Sequence, residues 1–141
     1  MHSISAKKAI DLLNEGRALT NLYISGELKI EADENWEKEM VFENCIIEYF
    51  SAIGQQFIKP VKIANCYFKN CSFTFVYFLS GLTIDSCTFE SYLDFQAGGH
   101  NKTGNIIAIT NNDFKKFVNF FGCCYENEVI ELLFPKNQVF A

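Results

Sequence analysis

The sequence predicts an all-β solenoid: a four-sided parallel β-helix with a short N-terminal capping helix. Three observations carry that prediction. Residues 66–80, CYFKN CSFTF VYFLS, divide into blocks of five, each with a central Phe (Phe68, Phe73, Phe78) and a compact residue two positions earlier (Cys66, Cys71, Val76). Followed outward, the same grid of centres meets Phe42, Ile47, Ala52, Phe57 and Ile63 before this stretch and Ile84, Phe89 and Phe95 after it, in steps of five with one step of six per circuit. Independently, Cys45, Cys66 and Cys87 recur every 21 residues, within the aligned words FENCII (42–47), IANCYF (63–68) and IDSCTF (84–89).

A step of five fits neither the helix period of about 3.6 nor the strand period of 2. A longer repeat of about 20 residues is the mark of a solenoid. Each circuit then has four short sides, and successive circuits stack as parallel strands about 4.8 Å apart. The residue two before each centre also points inward, because side chains alternate along an extended stretch. Stacking sets like on like: Phe57 under Phe78, Phe68 under Phe89, and Cys45, Cys66 and Cys87 in one ladder.

A solenoid must cover its terminal coils. SAKKAIDLLNE (5–15) reads as a capping helix, with Ser5 as N-cap, Gly16 as stop, and Ala6, Ala9, Ile10 and Leu13 on one apolar face. The coils are expected over 21–134, all within one domain spanning 1–141. NLYISGELKI (21–30) reads as the first strand region, and EADENWEKEM (31–40) as an acidic excursion before regular coiling. The next repeat word, ITNNDF (109–114), arrives 25 residues after its predecessor, so AGGHNKTGN (97–105) is expected to be an inserted loop. EVIELLFPKNQVFA (128–141) would supply the last coil and an apolar tail.

The blocks resemble the pentapeptide-repeat family, whose pattern is a small residue, a polar residue, a central Leu or Phe, and two variable polar residues. The pairs Cys45-Ile47, Cys66-Phe68, Cys71-Phe73, Val76-Phe78 and Cys87-Phe89 carry the resemblance, which is clearest from Met40 to Phe95. The six-residue sides from Pro60 to Ile63 and from Gly81 to Ile84 depart from the pattern, Ala52 and Gln55 are poor core choices, and 106–134 fit loosely around Ile109, Phe114, Phe120 and Tyr125. The resemblance implies a right-handed, four-sided parallel β-helix. It also implies a possible homodimer through the C-terminal coil.

Composition bounds the function. Hydrophobic residues make up 49% of 141, enough for a real core. A net charge of -5 argues against direct nucleic-acid or anionic-membrane binding, which needs a basic surface. No apolar run approaches the roughly 20 residues of a membrane span. The stretch MHSISAKKAIDLLNEG has no continuous apolar core and does not read as a secretory signal. Six cysteines in a chain of this size suggest reduced thiols and a cytoplasmic location.

No motif points to catalysis, and no cofactor or metal is expected. The Cys spacing lacks the close pairs of a zinc site. GGHNKTG (98–104) places Asn105 where a phosphate loop needs Lys. Asp85 and Glu90 lie on adjacent sides with nothing to make them converge as a glycosidase pair would.

Two functional expectations remain. The first is a protein-binding or scaffold module with an unidentified protein partner. The grid turns Ile53, Ile58, Phe75, Tyr77 and Leu79 outward on two adjacent sides, and exposed apolar clusters mark contact surfaces. The competing reading is that the 97–105 loop or a terminal segment covers them. The second expectation is nucleic-acid mimicry, since some pentapeptide-repeat proteins resemble DNA and bind type II topoisomerases. Residues 31–48 carry Glu31, Asp33, Glu34, Glu37, Glu39, Glu43 and Glu48 against Lys38 alone. Mimicry needs a continuous acidic stripe, however, and Lys69 falls between Glu48 and Glu90, where a ladder ion pair is expected.

Overall fold

The computed structural model describes residues 1–125 and the backbone of a last strand, Val129–Leu132. The chain opens with β1 (His2–Ser5) and α1 (Ala6–Asn14), then passes through β2 (Leu19–Thr20), β3 (Leu22–Lys29) and β4 (Asn35–Trp36). Later circuits run β5 (Met40–Glu43), β6 (Ile46–Ser51), β7 (Gln56–Phe57), then β8 (Val61–Ala64), β9 (Tyr67–Ser72), β10 (Tyr77–Phe78). They continue with β11 (Leu82–Asp85), β12 (Thr88–Phe89), β13 (Leu93–Asp94), then β14 (Ile107–Thr110), β15 (Asp113–Phe114), β16 (Val118–Asn119), and β17 (Val129–Leu132) begins another. Neighbouring strands pair in parallel, one circuit on the next, as in Met40↔Val61↔Leu82↔Ile107.

Four inward columns result. The first side is centred on Leu19, Phe42, Ile63, Ile84 and Ile109, and the second on Ile24, Ile47, Phe68, Phe89 and Phe114. The third carries Ala52, Phe73, Phe95 and Phe120, and the fourth Trp36, Phe57 and Phe78. These centres are buried, Phe120 partly so. Phe68 stacks on Phe89 at 5.1 Å, Phe57 on Phe78 at 5.8 Å, and Phe95 on Phe120 at 5.0 Å, with ring planes nearly parallel. Such pairs add about 0.5–1.5 kcal/mol each beyond the area they bury.

The cap forms as expected, with an addition. Ser5 Oγ accepts from the Lys8 amide at 3.1 Å, Ala9 and Leu13 are buried, and Gly16 leaves the helix at φ 76°. Preceding it, β1 pairs with β3 (Ile4↔Ile24), so the second side begins one rung below the first coil. Four residues with a single central apolar side chain gave no readable periodicity there.

Three sequence expectations are corrected. Residues 31–40 are not wholly an excursion, because Trp36 already pairs with Phe57 as the first rung of the fourth side. Ala52 is an adequate centre because Phe50, two residues earlier, fills the space: it meets Phe42 at 5.4 Å and Phe73 at 5.5 Å. Large and small have simply exchanged positions, conserving volume. The 97–105 segment is not a loop throughout. Gly99 bridges Tyr77 below and Cys124 above, so this part continues the coil. A Cβ at Gly99 would run into the Cys124 carbonyl, which makes glycine a requirement of close approach. The turn proper is at 102–105, where the Asn105 amide returns to Lys102 O.

Corners are built from left-handed residues. Between the first and second sides these are Asn21, Asn44, Asn65, Ser86 and Asn111, with φ of 52–57°. Asn is the ordinary residue that tolerates this conformation best. The left-handed residue, Asn in every circuit but that of Ser86, stands immediately before the Cys position. The expected C-terminal coil over 128–141 lies outside the described residues apart from the β17 backbone, and so does the dimer contact placed on it.

Candidate contact surface

The five outward residues fall into two groups. Ile53 and Phe75 are 55% and 52% exposed at the corner between the third and fourth sides. Ile58, Tyr77 and Leu79 are half-buried along the fourth side. Ile58 and Leu79 occupy successive rungs of one column, since the Ile58 amide bonds to Trp36 O and the Leu79 amide to Phe57 O. Tyr77 is partly covered: the His100 ring lies 4.3 Å from it at 56°. Cover by the 97–105 segment is therefore real for Tyr77, whereas the corner stays open.

That corner is a second left-handed column. Its occupants are Gly54, Phe75, Ala97 and Gly122, with φ of 75°, 57°, 56° and 71°. Three are the smallest residues available. Phe75 is the exception, and a bulky side chain at positive φ is an outlier. The strain of a left-handed non-glycine residue is about 1–2 kcal/mol. About half of the residue is still covered, so its remaining burial offsets part of that strain while the ring stays open to solvent.

Sequence reading missed further exposed aromatics. Phe121 is 71% exposed, in the column that runs from Ile53 through Thr74 and Gln96. Tyr92 and Phe117 form an outward ring pair at 4.7 Å. The grid over 106–134 is too irregular to place Phe117 and Phe121, and Tyr92 falls within the six-residue step between the centres Phe89 and Phe95.

The outward charges of the second side alternate. Glu48, Lys69, Glu90 and Lys115 follow one another up a column. The expected Glu48–Lys69 pairing is a minor contributor. Glu48 is held below the usual carboxylate range first by the Gly26 amide at 2.8 Å and next by the Tyr23 hydroxyl at 3.0 Å, with Lys69 the smallest influence. Asp85 is likewise lowered, by Thr110 Oγ1 at 2.7 Å and Asn111 Nδ2 at 2.9 Å.

The cysteine ladder is buried. All six cysteines are free thiols. The Cys66 amide donates to Cys87 Sγ at 3.4 Å, and the Cys66 thiol to Ala64 O at 3.2 Å. The hydrogen bond with Cys66, then burial, raises the Cys45 thiol pKa, and burial raises that of Cys71. Cys123 is half-buried and donates to Phe95 O at 2.9 Å, while Cys124 is exposed. Among the described residues no three His, Cys, Asp or Glu side chains gather as metal ligands would. Among them too, no helix is long and apolar enough to cross a membrane. No family model, curated protein or solved structure matches this chain, so the molecule is characterised by its architecture alone: a parallel β-solenoid with an open apolar corner.

Proposed function

We propose that the protein is a non-enzymatic binding or scaffold module whose contact surface is the corner at Ile53 and Phe75, flanked by Ile58 and Leu79. One observation carries this reading. Phe75 holds a strained left-handed backbone and an exposed ring where the equivalent rungs use Gly54, Ala97 and Gly122. Backbone strain clusters where a residue serves an interaction. Its partner is another protein, or a second copy of the chain.

The sequence pattern supports placing the chain as a divergent pentapeptide-repeat protein, with a compact residue two before each central Phe or Ile. Free thiols suit a reducing compartment such as the cytoplasm. Mimicry of DNA toward a type II topoisomerase draws support from the acids of 31–48, but the alternating Glu48–Lys69–Glu90–Lys115 column disfavours it.

The test compares the native chain with an Ile53→Ser/Phe75→Asn variant by sedimentation and as bait in a cell extract. A variant that folds normally yet loses an association made by the native chain supports the proposal. Identical association profiles would sink it.

A further inference from the structure

At the N-terminal end the fourth side finishes on an open edge. Its sheet runs β10-β7-β4, and among the described residues β4 is the terminal strand, whereas the second side continues below β3 to β1. The Glu34 and Trp36 carbonyls accept from the Gln56 and Ile58 amides of the rung above. In a parallel pair, successive residues direct their backbone groups to opposite neighbours. The Asn35 N–H and C=O therefore face away from β7, toward the open end.

Beneath that edge is a cleft of about 910 Å³, between the end of α1 at Asn14 and residues 31–38. Glu31, Asp33, Glu34 and Glu37 line it against a single cation, Lys38. Trp36 also lines it. This residue is only 5% exposed, and its indole Nε1–H has no hydrogen-bond partner. A buried indole N–H ordinarily finds one. The acidic wall is held in place from above: Gln55 Oε1 accepts from the Ala32 amide and Gln55 Nε2 donates to Ala32 O, both at 3.2 Å. That carboxamide acts as a short surrogate strand, which explains a polar residue buried at an inward position.

We propose that this edge receives an extended, basic polypeptide segment of a partner protein as an added rung below β4. Its backbone would pair with Asn35, a carbonyl or side-chain acceptor would satisfy Trp36 Nε1, and Lys or Arg side chains would meet the four carboxylates. Strand addition to an open sheet edge draws affinity from main-chain hydrogen bonds and selectivity from the side chains around it. The site uses none of the residues of the Phe75 corner and stands independently of it.

Trp36 is the only tryptophan in the chain, so its emission and its single indole N–H resonance report on this cleft alone. The native protein is titrated with an alternating Lys-Thr dodecapeptide, its Glu-Thr counterpart, a backbone N-methylated Lys-Thr analogue, and spermine. The basic peptide is expected to shift the indole resonance and slow exchange of the Asn35 amide, and the other three to do neither at the same concentration. A Glu31→Gln/Glu34→Gln variant, folded by circular dichroism, should bind the basic peptide about fivefold more weakly or worse. No shift with the basic peptide would mean that the acids only keep the edge soluble. Equal response to spermine would reduce the cleft to a simple cation site, and equal binding of the N-methylated peptide would remove strand addition. Any of these results overturns the proposal.

Discussion

The Cys87 amide donates to Asn112 Oδ1 at 2.8 Å, at the point in the circuit where the Cys66 amide meets Cys87 Sγ at 3.4 Å. Asn112 takes the Cys position of the repeat word, and its Nδ2 also donates to Ile84 O at 3.0 Å. Beside the corner the backbone leaves its sheet ladder, and the inward side chain of the next rung accepts the amide instead. The ladder cysteines are thus compact core residues that also satisfy corner amides.

Asn112→Ala should lower stability by about 1–3 kcal/mol, because it strands a buried amide and a buried carbonyl. Asn112→Cys should recover part of that loss by continuing the ladder. Urea denaturation of the two variants checks this, and equal stability of Asn112→Ala and the native protein would contradict the role assigned.

Phe68 is sandwiched by Phe89 above and touches Phe42 and Phe50. Phe68→Ala is expected to cost about 3–5 kcal/mol, since neighbours fixed in a stack collapse poorly into the hole. A measured loss below about 1 kcal/mol would be surface-like and inconsistent with this packing.

Phe75→Asn should leave stability within about 1 kcal/mol of the native value, because relief of left-handed strain offsets the loss of a half-covered ring. Thermal melting reads it directly. A clear loss of stability would show that the ring is packed, and would remove the main support for the contact surface.

Thiol labelling under native conditions should be fast only at Cys124. Cys45, Cys71 and Cys87 are buried, and Cys66 is pushed up to about 12, the lowering from its bond with Cys45 being outweighed by its bond with Cys87 and by burial. Cys123 is raised by burial and engaged with Phe95 O. Rapid labelling of Cys66 would contradict the ladder described here.

Glu48 and Asp85 have folded-state pKa values below their ordinary ones. Their contribution to stability is therefore complete above the unfolded carboxylate values of about 4, and is lost as pH falls through the lower folded values. Asp85→Asn should flatten the acid limb of the stability curve below about pH 4 while leaving the curve's shape near neutrality unchanged.

Much of this architecture is legible in one dimension. A solenoid brings together residues a fixed distance apart in sequence, so the 21-residue spacing of Cys45, Cys66 and Cys87 already specifies which side chains touch. The centres from Phe42 to Phe95 and the Ser5-capped helix follow from pattern and local chemistry alone. What the pattern could not decide was whatever depends on volume, corner geometry or where stacking stops. Ala52 needed Phe50 beside it to make sense, and Gln55 needed the Ala32 backbone it reaches from another coil. Alternation marks Phe75 as outward but says nothing of its positive φ, because handedness at a corner depends on how two sides meet. The same limit hid the cleft under Trp36: a repeat describes how rungs continue, and only the folded chain shows what covers, or leaves open, the edge where a column ends.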